Sequence, residues 1–315
     1  MSDPKAKRII FLGTPEFAVA SLCALVEAGF NVVAVVTMPD KPAGRGLKLQ
    51  TSAVKQYAES RGIPVLQPEK LKSPAFIDEL SAYKADVQVV VAFRMLPVQV
   101  WNMPPYGTFN LHASLLPNYR GAAPINWAIV NGEHETGITT FKLRHEIDTG
   151  DIVHREAVPI NETISAGELH DILMEKGAKL VVKTMDEVLS ETAVFLPQMN
   201  IEGDLKPAPK IFREHCRINW SLSGEQIHNL IRGMSPYPAA FSMLNGQILK
   251  IYKGSYVVRR HFETAGTMYI ENNLLRIATA DGYYYAEDIQ LEGKKRMPSS
   301  EFVKGFRVEG QVSLG

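Results

Sequence analysis

The sequence predicts an α/β chain: a doubly wound, mostly parallel sheet followed by a smaller OB-like β-barrel. Three observations carry that reading. Short apolar runs rich in β-branched residues alternate with helical patterns along the first part of the chain. A proline-rich interval then breaks the alternation, and beyond it strands follow one another without helices between them. A length of 315 residues with 45% hydrophobic content suffices for two cores.

Ile9 to Leu12 is the first strand. Glu16 to Ala28 places Phe17, Val19, Leu22, Leu25 and Val26 at helical spacing and is stopped by Gly29. Val32 to Thr37 is the second strand, and Ala53 to Ser60 a second helix ended by Gly62. Val87 to Phe93, Thr108 to His112 and Ile138 to Leu143 continue the sheet. Ser165-Ala-Gly-Glu168 is a capping box that opens a long helix, whose Leu169, Ile172, Leu173, Leu180, Val181, Met185 and Val188 keep one face. Pro197 to Pro209 holds three prolines and no periodicity, which marks a stiff, extended linker. Ser223 to Arg232 is helical, and Ile248 to Tyr252, Thr267 to Ile270, Leu274 to Ala278 and Tyr283 to Gln290 are strands. The expected division is a first domain over 1–192, a linker over 193–209 and an OB-like domain over 210–315.

Lys plus Arg equals Asp plus Glu at 34 each, so net charge points to no class of partner. Residues 210–315 carry 14 basic against 10 acidic residues, and the clusters Arg259-Arg260 and Lys294-Lys295-Arg296 tilt that part toward a polyanion. Two cysteines, Cys23 and Cys216, exclude a disulfide framework or a cysteine-rich zinc site and fit a reducing cytoplasm. The start of the chain has neither a signal peptide's apolar stretch nor a membrane span, so a soluble, cytoplasmic protein is expected; a monomer is a separate expectation. No His, Cys or carboxylate grouping has metal-ligand spacing, and no metal is expected.

In an open parallel sheet, ligands bind beyond the carboxyl ends of the strands. Asn110 and His112 end the strand Thr108 to His112 and, two residues apart, face one side. Asp148, in the turn Asp148-Thr-Gly150 after the next strand, can lie opposite them. An amide and an imidazole converging on one point can stabilise an oxygen that turns negative in a tetrahedral intermediate. A carboxylate beside them can hold the histidine and accept a proton from an attacking amine. Ser114 and Cys23 lack a neighbouring base, so covalent catalysis is disfavoured, and acyl-type transfer and hydrolysis both remain open.

Gly13-Thr-Pro-Glu16 lacks the G-x-G-x-x-G spacing of a dinucleotide site and reads as a helix start. The stretch Pro39 to Leu49 combines Lys41, Arg45 and Lys48 with two glycines at the same sheet edge. It suits either a solvated loop or a phosphate contact.

Asn110-Leu-His112-Ala-Ser-Leu-Leu-Pro117, Tyr119-Arg-Gly-Ala-Ala-Pro124, Asp148-Thr-Gly-Asp151 and Gly13-Thr-Pro-Glu-Phe-Ala18 together resemble the 10-formyltetrahydrofolate-dependent formyltransferases over nearly the whole chain. The basic stretch 39–49, with Ile218-Asn-Trp220-Ser and Ile231-Arg-Gly233, is similar to the branch that acts on methionyl-tRNA. The resemblance implies a Rossmann-like formyltransferase fold with a C-terminal OB-like domain. It implies 10-formyltetrahydrofolate as formyl donor, initiator methionyl-tRNA as acceptor, tetrahydrofolate as product and a role at translation initiation. By resemblance Asn110, His112 and Asp148 are catalytic, and Ser114, Leu115, Leu116, Pro117, Phe93 and Leu96 contact the folate. Lys41, Arg45, Lys48, Lys206 and Lys210 are assigned to tRNA. Arg94, Met95, Arg144 and His145 depart from the common pattern beside this site. Sugar-nucleotide N-formyltransferases and formyltetrahydrofolate hydrolases share the site motif, and a non-catalytic RNA-binding protein would share the fold. The basic stretch, the second domain and three competent side chains favour the tRNA branch.

Overall fold

The computed structural model describes residues 3–43, 48–198, 205–305 and 312–315. The chain packs as two compact units. Met1–Gly121, Gly137–Val158 and His170–Pro207 form the first, and Ala122–Thr136, Pro159–Leu169 and Ala208–Gly315 the second.

The first unit is built on a sheet of β1 (Arg8–Gly13), β2 (Asn31–Val36), β5 (Val65–Leu66), β6 (Val87–Val91), β7 (Thr108–His112), β8 (Glu135–Lys142) and β9 (Ile152–Pro159). Its order is β5-β2-β1-β6-β7-β8-β9, and β3 (Lys41–Ala43) pairs with β4 (Lys48–Gln50) as a separate two-stranded sheet. β1 runs parallel to β2 and β6, β6 parallel to β7, and β8 antiparallel to β7. The chain order therefore reverses between β1 and β6, which is the switch point of a doubly wound sheet. Ile9, Ile10, Phe11 and Leu12 are fully buried, as a central strand covered on both faces requires. One face packs Ile10, Leu12, Ala34, Val36 and Val90 against Phe76 and Leu80 of α3 (Pro74–Ala82) and Val100 of α4 (Val98–Trp101). Each such side chain contributes about 1.5–3 kcal/mol by leaving water.

α1 (Glu16–Glu27) and α2 (Ala53–Ser60) lie where the apolar spacing puts them, and Gly29 and Gly62 follow with φ of +82° and +67°. Ser52 caps α2 by accepting from the Lys55 amide at 3.1 Å. Other elements differ from expectation. β6 stops at Val91 because Ala92 turns to φ +47°. β8 starts at Glu135, ahead of Ile138. At the ends of the stretch 39–49 the described residues pair as strands, Lys41 with Gln50 and Pro42 with Leu49. Leu196, inside the linker expected over 193–209, exchanges backbone hydrogen bonds of 2.8 and 2.9 Å with Ile152.

In the second unit α5 (Pro124–Val130) packs on α7 (Gly224–Gly233), where a Cβ at Gly233 would meet Val130 at 2.6 Å. Asn126 donates to the Gly233 carbonyl at 2.7 Å. α6 (Ala166–Leu189) opens on its capping box: the Glu168 amide donates to Ser165 Oγ at 3.3 Å and Ser165 N–H to Glu168 Oε2 at 2.8 Å. That N–H holds the Glu168 carboxyl below its ordinary pKa. β10 (Ala240–Leu244), β11 (Gln247–Val258), β12 (Thr267–Glu271), β13 (Leu274–Ala278), β14 (Gly282–Leu291), β15 (Met297–Pro298) and β16 (Val312–Ser313) form a curled antiparallel OB-like half-barrel, with α8 (Ser299–Gly305) before the last strand. Asn245-Gly246 and Asn272-Asn273 join consecutive strands with positive φ at both residues, the tight hairpin geometry that matches strand twist. Trp220, Ile227, Ile231, Leu275 and Tyr284 fill the interior. No helix among the described residues is long and apolar enough to cross a membrane.

Candidate active site

Asn110 and His112 stand on one side of β7, at the sheet edge beyond the carboxyl ends of β6 and β7. His112 is buried and Asn110 half-buried. His112 Nε2 lies 2.8 Å from the Tyr119 carbonyl, which can only accept, so Nε2 carries a proton. Its other nitrogen, Nδ1, faces Asp148 Oδ2 at 3.9 Å, with both side chains largely shielded from water. Asp148 Oδ2 also accepts from the Gly121 amide at 3.1 Å. The Asn110 side-chain amide makes no hydrogen bond among the described residues. The structure thus brings His112 and Asp148 together and leaves a neighbouring amide with unspent donors.

Local backbone geometry produces this arrangement. Ala92, Tyr119 and Asp148 adopt φ of +47°, +59° and +54°. Each left-handed non-glycine residue costs about 1–2 kcal/mol, and such residues persist where surrounding contacts hold them. Tyr119 is held by its amide, which donates to the Lys206 carbonyl at 2.6 Å. The Asp148 turn is held by Gln198, whose Nε2 donates to the carbonyls of Asp148 at 2.7 Å and Gly150 at 2.8 Å. Gln198 Oε1 accepts from Arg120 at 2.6 Å. A Cβ at Gly150 would run into the Lys142 carbonyl oxygen, so the turn closes against β8 only with glycine there.

Ser114 donates its hydroxyl to the Asn118 carbonyl at 2.7 Å and is fully buried. Thr139 reads the same turn, donating to the Ser114 carbonyl at 2.6 Å while accepting from the Leu116 amide at 3.2 Å. Leu115 is half-buried, Pro117 is buried after a cis peptide bond, and Leu116 packs with Phe141 and Ile152. Leu96 is buried in the β-sheet core, with Phe93 packed against it. Arg94 bonds the Pro68 carbonyl and, at 2.9 Å, the Glu69 carbonyl, and lies 5.6 Å from the Phe93 ring centroid. Burial holds its pKa below the ordinary value. Met95 is 72% exposed beside it. Arg144 pairs with Asp151 at 2.6 Å, while His145 is exposed.

Among the basic residues, Lys41 is exposed on β3, and Arg45 and the Lys48 side chain lie outside the described residues. The base of their hairpin is anchored: Lys55 Nζ donates to Asp40 at 2.5 Å and to Gln67 at 2.9 Å, and Gln67 donates to Asp40 and to the Met38 carbonyl. Hydrogen bonds from Lys55 and Gln67 hold the Asp40 carboxyl below its usual range. Lys206 donates its amide to Asn118 Oδ1 at 3.2 Å. Lys210, in the second unit, places Nζ 5.7 Å from the Phe212 ring centroid.

Sequence reasoning gave Tyr119 and Gly121 no role beyond their place in the motif Tyr119-Arg-Gly-Ala-Ala-Pro124, and gave none to Thr139 and Gln198. The first two act through the backbone, which leaves no side-chain signal. Gln198 sits in a proline-rich stretch fifty positions from its partner Asp148. Among the described residues no group of three or more His, Cys, Asp or Glu can hold a metal ion.

Residues 7–185 match the formyl transferase family and residues 210–307 the formyl transferase C-terminal domain. A methionyl-tRNA formyltransferase of Bacteroides thetaiotaomicron is 52% identical over 309 residues, covering 96% of each chain. One from Porphyromonas gingivalis is 47% identical over 316 residues, covering 98% of each. Two solved structures share the fold at TM-score 0.65. A sugar 3N-formyl transferase, crystallised with dTDP and 5-N-formyl-tetrahydrofolate, is 22% identical and covers 92% of this chain and 99% of its own. An N-formyltransferase from Helicobacter canadensis, in complex with folinic acid and dTDP-3-aminofucose, is 23% identical and covers 89% and 98%. The site at the carboxyl edge of β7 and the matches along both units lead to one assignment: the chain is a transferase and belongs to the formyl transferase family.

Proposed function

We propose that the protein transfers the formyl group of 10-formyltetrahydrofolate to the α-amine of initiator methionyl-tRNA, releasing tetrahydrofolate, at the start of translation in the cytoplasm. The observation that carries the reading is the His112–Asp148 pair, closed by the Tyr119 carbonyl and the Gly121 amide beside the uncommitted Asn110 amide. Asn110 donates to the formyl oxygen as it turns negative. Because Nε2 is engaged, His112 assists from Nδ1, and only when that nitrogen is protonated. Asp148 accepts the proton that the attacking amine loses as its nitrogen bonds to the formyl carbon. The C–N bond to the donor then breaks as the oxyanion returns to a carbonyl, and the leaving nitrogen takes up the proton that Asp148 accepted. One oxyanion donor is worth about 10²–10³ in rate and a placed base about 10²–10⁴.

In this reading Phe93, Leu96 and Ser114 to Pro117 shape the folate side of the site. Lys41, Arg45, Lys48, Lys206 and Lys210 meet tRNA phosphates. Residues 1–192 supply the chemistry and 210–315 the tRNA grip, joined by 193–209 in a monomer that needs no metal. The relatives 47–52% identical are named for methionyl-tRNA, whereas the sugar-modifying structures share the fold at 22–23% identity. The test offers 10-formyltetrahydrofolate with either methionyl-tRNA or a dTDP-amino sugar. Formylmethionyl-tRNA is expected; formylation of the sugar alone, or release of formate without either product, overturns the reading.

A further inference from the structure

In the second unit, the end of β11 leads into a tip that the chemistry above does not use. Phe262 is 94% exposed, Val258 66% and Val257 50%. The Arg260 guanidinium lies 5.7 Å from the Phe262 ring centroid. Neither Arg259 nor Arg260 makes an ion pair among the described residues. The carboxylates around them are engaged elsewhere. Glu263 and Glu271 hold Arg276 at 3.4 and 3.0 Å, and Asp281 accepts from the Gly224 amide at 2.8 Å and from Thr279 at 3.2 Å.

The tip is also held in place. The Arg259 amide donates to the Asp281 carbonyl at 2.9 Å, and a Cβ at Gly282 would run into the Val257 carbonyl, so the strands close tightly there. His261 donates to the Thr279 carbonyl at 2.9 Å and rests 4.8 Å from the Tyr283 ring centroid. In the other basic cluster of this unit Arg296 grips Asp288 with two bonds of 2.9 and 2.6 Å and lies over Tyr252, so its charge is already matched, while Lys294 and Lys295 are exposed and have no aromatic ring beside them among the described residues.

A solvated aromatic ring with the Arg260 guanidinium beside it, and a second arginine without an ion pair one residue before in the chain, is the pairing of stacking platform and phosphate cation that unpaired nucleic acid requires. We propose that Phe262 stacks on an unpaired nucleobase of the tRNA substrate while Arg259 and Arg260 hold the phosphates beside that base. The proposal rests on the reading that the amine arrives on a tRNA. Stacking tolerates any base, so the tip contributes grip without reading sequence.

The test uses the full chain with Phe262→Ala, Phe262→Trp and Arg260→Gln, and as probe a single-stranded RNA of about twelve nucleotides, within the span one OB fold covers. Phe262→Ala is expected to weaken binding about 5- to 100-fold at unchanged melting temperature. Phe262→Trp is expected to restore binding, with indole fluorescence quenched on adding RNA. Arg260→Gln is expected to lower the slope of log affinity against log salt by about one. Wild-type affinity in Phe262→Ala overturns the proposal. So does an effect of Phe262→Ala on self-association upon dilution without one on RNA, since the tip would then be a contact between copies. Formylation of methionyl-tRNA by the wild type, measured in parallel, keeps the two questions apart: its absence defeats the functional reading, whereas wild-type RNA affinity in Phe262→Ala with formylation intact defeats only this proposal.

Discussion

Gln198→Ala removes the side chain that grips both carbonyls of the Asp148 turn. Each of those bonds contributes about 0.5–1.5 kcal/mol net, and the charge-assisted contact with Arg120 about 1.5–3 kcal/mol. Gln198 is half-buried, so water replaces part of this and the expected loss of stability is about 1–2 kcal/mol. The bonds to the two carbonyls together match the cost of about 1–2 kcal/mol for holding Asp148 at φ +54°. Released, the turn relaxes and carries the carboxylate away from His112. A displacement of about 1 Å at reacting groups costs about 10²-fold. Steady-state formyl transfer should show kcat down by about 10- to 100-fold, with KM for methionyl-tRNA changed far less. Gln198→Glu separates the two halves of the contact, because it keeps an acceptor for Arg120 but sets a carboxylate against two carbonyls. It should be as slow as the alanine variant. Wild-type kcat in Gln198→Glu would refute the claim that the grip on the turn positions Asp148.

Gly150→Ala should destabilise the first unit by about 3 kcal/mol or more, because the new methyl meets the Lys142 backbone; a denaturation midpoint near wild type would contradict the close approach. Lys55→Met should let the Asp40 carboxyl rise toward its ordinary pKa in an NMR titration and speed proteolysis within 41–50; an unmoved Asp40 would show that the anchor lies elsewhere. The depressed pKa of Glu168 gives stability present above the ordinary carboxylate range and lost as pH falls through the lower, folded value. Glu168→Gln should therefore flatten the acid side of the stability curve by about 0.5–1 kcal/mol, and an identical pH profile would remove the capping box from the account.

The alternation of apolar runs and helical spacing made the sheet legible, since Ile9 to Leu12 and Val87 to Val91 are buried on both faces and read as continuous apolar strands. β9 was not legible, because the half-buried His154 and Glu156 and the exposed Arg155 break the apolar pattern. α5 starts at a proline and is short, and no helix was expected over Pro124–Val130. The β3–β4 hairpin was hidden by its prolines and glycines, which signal a loop whether or not strands flank it. At the site, His112 and Asp148 were visible as side chains with matching chemistry. The Tyr119 carbonyl and the Gly121 amide were not, since any residue supplies a backbone group. The two basic clusters after residue 210 looked equivalent in sequence, and only the structure shows that Asp288 occupies Arg296 while Arg259 and Arg260 are left without carboxylates.

The most direct test of the proposed chemistry is single-turnover formyl transfer by Asp148→Asn, which keeps the shape of the turn and removes the proton acceptor facing His112. The rate should fall by about 10²–10⁴-fold, while melting temperature and tRNA affinity stay at wild-type values. Transfer at the wild-type rate would contradict the assignment of Asp148 as the group that takes the amine's proton.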